Sequence, residues 1–186
     1  TEYRNDYTLW AYPKIDVAIS ESEICCGDKK LLIARTMEQV AEYQALGTPF
    51  IYVPDQGEED VEGTYCTDFW NYPMFRSISE SMNRKIPVGT LGLYIDKEDE
   101  LLKWFPCENY SSPQWYQMVM HSHCAVLDGM DDVKVIVQPI DNVERCHKLG
   151  MLYYQGDMLV CTSRIWEISE YPEVQAFAKT LVESVK

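Results

Sequence analysis

The sequence predicts an α/β fold built in layers, with a mostly parallel sheet and an antiparallel hairpin near the C-terminus. Three observations predict it. Strand-like and helix-like segments alternate along the chain, two apolar runs flank a glycine-centred turn in the last third, and the final segment carries one apolar stripe at helical spacing. The 186 residues, 46% of them hydrophobic, suit a single domain able to bury roughly two-thirds of its unfolded surface.

The elements follow in order. "YTLWAYP" (Tyr7 to Pro13) reads as an aromatic-rich strand, and "EICCGDKKLLIA" as two short strands around a Gly27-Asp28 turn. Thr36 opens a helix as its cap with Gln39 reaching back, and Gly47 and Pro49 stop it. "PFIYVP" is a short buried strand. The acidic, turn-rich run from Asp55 to Asn71 reads as a long surface loop, and Pro73 as the start of a short helix through Met82. "GTLGLYID" reads as a strand and "SSPQWYQMVMH" as a helix capped by Ser112 with Pro113 in its first position. "VKVIVQPI" is a β-branched strand, and "KLGMLYY" and "DMLVCTS" form a hairpin about Gln155-Gly156-Asp157. In the last helix Val174, Phe177, Ala178, Leu181, Val182 and Val185 share one face.

Charge narrows the function. Thirty acidic against sixteen basic residues give a net charge of -14, with no segregated basic patch, which argues against nucleic acid and anionic membranes as partners. No apolar run reaches the length of a membrane span. Seven cysteines, an odd count without a C-x-x-C, read as reduced thiols in a cytoplasmic protein. The chain opens on Thr1-Glu2-Tyr3 rather than methionine, which leads us to expect a fragment of something longer.

Several chemistries lack their motifs. The nine glycines, at 27, 47, 57, 63, 89, 92, 129, 150 and 156, are nowhere four apart, so the sequence has neither a G-x-S-x-G nor a G-x-C-x-G elbow, and no G-x-G-x-x-G or P-loop. The three histidines form no H-E-x-x-H. His121-Ser122-His123-Cys124 would offer ligands on one face only as a strand, and it reads as the end of a helix. No metal, cofactor or catalytic residue is expected.

The candidate contact residues lie elsewhere. "TDFWNYPMF" brings together Asp68, Trp70, Asn71 and Tyr72, and "FPCENYSSPQWY" adds Trp115. Aromatic rings in loops either pack the loop onto a neighbouring surface or stack on a sugar. "IDNVERCHKLG" crowds Asp141, Asn142, Arg145, Cys146 and His147 between two strands. Cys146 and His147 are adjacent, so on extended backbone they point to opposite faces and make a poor nucleophile and base pair. The stretch reads as a contact loop, with Asn142 in a turn and Arg145 and His147 tying the loop to its neighbours.

"TDFWNYPMF" (67–75), "GTLGLYIDKEDELLKWFPCENYSSPQWY" (89–116) and "VQPIDNVERCHKLGMLYYQGDMLVCT" (137–162) together resemble the C-terminal domain of certain bacterial glycoside hydrolase family 2 proteins of β-galactosidase-like type. The pattern there runs G-T-L-G-L-L-x-D…F-P-T-x-x-H-S-x-x-Q-W-W, then Q-x-I-D-N-x-x-R-N-H-K-L-G-L-L-F. Here Tyr110 stands for the family histidine, Tyr116 for the second tryptophan, and Cys146 for an asparagine. From its first block to its last the resemblance spans about half of the chain, and it implies a flavodoxin-like three-layer fold similar to class I glutamine amidotransferases, without their cysteine elbow. It also implies that the catalytic glutamates sit in a separate barrel, which at about 250 residues does not fit in this chain.

The expected function is therefore that of a non-catalytic accessory domain, docking or oligomerising, beside a family 2-like glycoside hydrolase acting on β-galactosides or related sugars. Expected partners are the catalytic barrel of that enzyme, a carbohydrate, and a second copy of the chain. Two rivals are a carbohydrate-binding module using Trp70, Tyr72 and Trp115, and a small stand-alone hydrolase of amidotransferase-like fold.

Overall fold

The computed structural model describes residues 4, 8–55, 60–61, 63–65, 88–90, 92–140 and 146–184. In chain order its elements are β1 (Val17–Ile19), β2 (Glu23–Cys26), β3 (Lys29–Ala34), α1 (Met37–Leu46), β4 (Phe50–Tyr52), β5 (Asp60–Val61), β6 (Gly63–Tyr65), β7 (Val88–Thr90) and β8 (Leu93–Ile95). They continue as α2 (Tyr116–Met120), β9 (Cys124–Val126), β10 (Val133–Pro139), β11 (Leu149–Gly150), β12 (Leu152–Gln155), β13 (Met158–Cys161) and α3 (Pro172–Ser184). Short 3-10 helices span Glu100–Trp104, Pro113–Trp115 and Ile165–Ile168.

The sheet corrects the expected fold class. Eight strands run in the order β1-β2-β3-β4-β13-β12-β10-β8. Only β3 with β4 and β4 with β13 pair in parallel; every other neighbouring pair in this sheet is antiparallel. A flavodoxin-like sheet needs a helical crossover between successive parallel strands. Among the described residues β3-α1-β4 is the one unit of that kind, because α2 is five residues long and leads into β9, a strand of another sheet. The tight turns at Gly27-Asp28 and Gly156-Asp157 impose antiparallel pairing on β2–β3 and β12–β13. Two smaller sheets, β11-β9-β5 and β6-β7, complete the mixed architecture.

Local chemistry explains the elements. Thr36 accepts the Gln39 N–H at 3.3 Å, while the Gln39 side chain accepts the Arg35 N–H at 2.7 Å, one residue earlier than a capping box would place it. Gly47 closes α1 at φ +62, where a side chain would be strained. Residues 8–13 do not form the strand expected there; the first strand is Val17–Ile19. The run expected to be one strand, "GTLGLYID", divides between β7 and β8, with Gly92 at φ +136 at the break. The predicted helix from Pro73 lies outside the described residues.

Alternation decides which layer each side chain joins. On one face, Ile24, Leu31, Ile33, Ile51, Leu152 and Ile95 share one buried cluster with α3, which buries Val174, Phe177, Ala178, Leu181 and Val182. Each fully buried large apolar side chain contributes about 2 kcal/mol of transfer free energy. Phe105, Trp115 and Phe177 stack edge to face at the centre of this layer, with ring centroids 5.2–5.8 Å apart. On the other face Tyr153 and Val160 pack under Leu127, with Tyr52 and Val135 beside them. Gly150 permits that closure: a Cβ there would stand 2.7 Å from both Leu127 Cδ1 and Tyr153 Cδ1.

Candidate functional site: an exposed apolar edge

Seven of the nine sequence-predicted contact residues, Asp68, Trp70, Asn71, Tyr72, Asp141, Asn142 and Arg145, lie outside the described residues. The other two are placed, and in different settings. Trp115 is fully buried between Phe105 and Phe177, so its ring belongs to the core and is not available for stacking on a sugar. Its indole N–H has no hydrogen-bond partner among the described residues. His147 is exposed, and its Nδ1 lies 2.8 Å from Asp128 Oδ2, while the Lys148 N–H donates to Asp128 Oδ1 at 3.3 Å. These bonds, His147's foremost, hold the Asp128 carboxyl below the ordinary carboxylate range. His147 thus ties its loop to the turn after β9.

Cys146 adopts φ +56, a left-handed conformation unusual for a residue other than glycine, asparagine or aspartate. The resembling pattern has asparagine at this position, a residue that enters this region at lower cost.

The His121–Cys124 run serves as a joint. His121 caps α2, its Nδ1 3.0 Å from the Gln117 carbonyl, and its own carbonyl accepts the Arg164 N–H at 2.8 Å. Ser122 Oγ lies 2.7 Å from Thr162 Oγ1, Ser163 Oγ donates to the Met118 carbonyl at 2.9 Å, and His123 Nε2 meets the Arg164 guanidinium. The cluster locks the end of α2 to the end of β13. Among the described residues no group of three His, Cys, Asp or Glu side chains is arranged to hold a metal ion. The buried Cys161 thiol is pushed up to about 11 by desolvation.

What sequence reasoning missed is at the β8 edge of the large sheet. Leu93 and Ile95 point into the core, so Tyr94 points the opposite way. It pairs with Gln138 of β10 on one side and bridges Tyr110 on the other. Ile140, two residues beyond Gln138, binds the Gly92 carbonyl through its N–H at 2.8 Å and falls on the same face by alternation. Tyr94, Tyr110 and Ile140 are 55%, 63% and 40% exposed, large apolar groups gathered at one sheet edge. An antiparallel bridge joins Ile140 to Lys148 beside this patch. The alternation of "LYI" carries the signal for Tyr94 in the sequence.

Comparison with known protein families gives one result. Residues 31–186 match the family described as "Domain of unknown function (DUF8487)". The chain belongs to that family. The match to DUF8487 begins within β3 and takes in α1 through α3 and the whole β8 edge, while β1, β2 and the segment before them precede it. No curated protein matches the chain. Among the described residues, no helix of this DUF8487 member is long and apolar enough to cross a membrane.

Proposed function

We propose that the chain is a non-catalytic accessory domain that docks, through the β8 edge, onto the catalytic barrel of a family 2-like glycoside hydrolase, in the cytoplasm. The observation that carries the docking reading is the exposed group Tyr94, Tyr110 and Ile140, beside the bridge from Ile140 to Lys148. Rings with a polar tip at a sheet edge suit a protein interface, where the apolar body is buried and the hydroxyl finds a partner. The choice of enzyme is supported by the resemblance of the three sequence blocks, which include Tyr94, Tyr110 and Ile140 themselves. The amidotransferase-like fold is no part of the proposal, because the sheet is mixed and mostly antiparallel.

The test pairs two measurements. The isolated chain should hydrolyse nitrophenyl β-galactoside no faster than its heat-treated control, and it should co-sediment with a family 2 barrel encoded upstream of, or next to, its own coding sequence. Hydrolysis by the chain alone would overturn the non-catalytic reading. Failure to bind the barrel would overturn the docking reading.

A further inference from the structure

A second surface, away from the β8 edge, has the makings of a ligand groove of about 590 Å³, within the roughly 300–1,000 Å³ common for small-molecule sites. One wall is the segment 9–15, which contributes Trp10 and Tyr12. Tyr12 stacks on Phe105 at 6.5 Å and 16°, and its hydroxyl donates to Gln114 Oε1; the Gln114 amide in turn donates to the Pro106 carbonyl at 2.9 Å. That wall is therefore fixed in place. Trp104, 65% exposed at the end of the Glu100–Trp104 turn, offers a further ring.

The opposite wall is a stripe of α3. Lys179 and Glu183 stand one turn apart on it, and both line the groove, together with Ala176 and Thr180 of the same helix. Lys29 of β3 holds the Glu183 carboxylate at 2.6 Å, and that hydrogen bond keeps the group ionised and oriented as an acceptor. The groove thus combines rings on one side with a cationic donor and an anionic acceptor on the other. Opposite charges side by side select no net charge in a ligand. They do suit neighbouring hydroxyls, each able to accept from the ammonium and donate to the carboxylate, on a molecule whose C–H faces lie against the rings.

We infer that this groove binds a short neutral oligosaccharide, with Trp104 and Trp10 as the stacking surfaces and Lys179 and Glu183 as the hydroxyl partners. The inference does not rest on the docking proposal, since none of these residues belongs to the β8 edge. The test is calorimetry and tryptophan fluorescence on the full chain with lactose, cellotetraose, xylotetraose and mannotetraose, and with a proline-rich decapeptide as the competing ligand class, each up to about 10 mM, a range that reaches weak millimolar complexes. The expected result is saturable binding of at least one saccharide, weakened about tenfold or more by Trp104→Ala and by Glu183→Gln. Thermal unfolding of Trp104→Ala should match wild type, because that ring is largely exposed. No saturable saccharide binding, saccharide binding indifferent to Trp104→Ala, or binding of the peptide in place of the saccharides would each overturn the inference.

Discussion

Replacing Trp115 separates a core residue from a ligand contact. The indole is fully buried, with Phe105 at 5.2 Å and Phe177 at 5.8 Å in edge-to-face contact. Truncating a buried tryptophan to alanine costs about 3–5 kcal/mol, transfer and cavity terms together. Against a usual domain stability of about 5–15 kcal/mol this is a large share. At about 2–4 °C per kcal/mol for a chain of this size, Trp115→Ala should lower the melting temperature by about 6–20 °C. Trp115→Phe should cost far less, about 1 kcal/mol, because it keeps an edge-to-face ring and removes a buried N–H that has no partner. Differential scanning calorimetry on the three proteins measures both effects. A Trp115→Ala protein that melts within about 2 °C of wild type, a span worth 1 kcal/mol or less, would refute the placement of this ring in the core.

Three other outcomes follow from the same geometry. Gly150→Ala puts a Cβ 2.7 Å from the buried Leu127 and Tyr153 side chains, and overpacking of about 1–3 kcal/mol should appear as a shift in the urea midpoint; an unshifted midpoint would contradict the contact. Cys146→Asn relieves the left-handed strain at φ +56 and should raise stability by up to about 1 kcal/mol in the same assay, whereas a loss of stability would count against that reading. Burial first, and then Glu173 and Cys107, push the Tyr12 phenol up to about 12 from its ordinary 10.0, so the neutral form is favoured in the folded chain. Its stabilisation is complete below the unfolded value and is lost as pH rises from 10.0 toward about 12; a tyrosinate absorbance difference between wild type and Tyr12→Phe with its midpoint near 10 would exclude this.

Much of the local structure was legible because its signals are local. Thr36 and Gly47 bracket α1, Gly27 and Gly156 turn two hairpins, and the stripe from Val174 to Val182 packs α3 as its spacing requires. The pairing of strands was not legible in the same way. Whether β4 lies between β3 and β13, or β10 between β12 and β8, depends on contacts distant in sequence that no window of residues encodes. Alternating strand and helix signals therefore suggested a parallel sheet, although the helix preceding β9 is too short to serve as a crossover. The site suffered from a related ambiguity: Trp115 and Trp104 are both tryptophans near a loop, and only the packing of Phe105 and Phe177 makes one of them core and leaves the other exposed. Tyr94 could have been found, since its neighbours Leu93 and Ile95 are apolar and alternation sends it outward.

The central claim is that the β8 edge docks onto a catalytic barrel. Sedimentation velocity on the chain mixed with the family 2-like barrel proposed as its partner, comparing wild type with a Tyr94→Glu, Tyr110→Glu double variant, tests it most directly. Charges placed at the centre of an interface should weaken the complex at least about tenfold, while the exposed positions leave the melting temperature unchanged. An undiminished complex in the double variant would contradict the account.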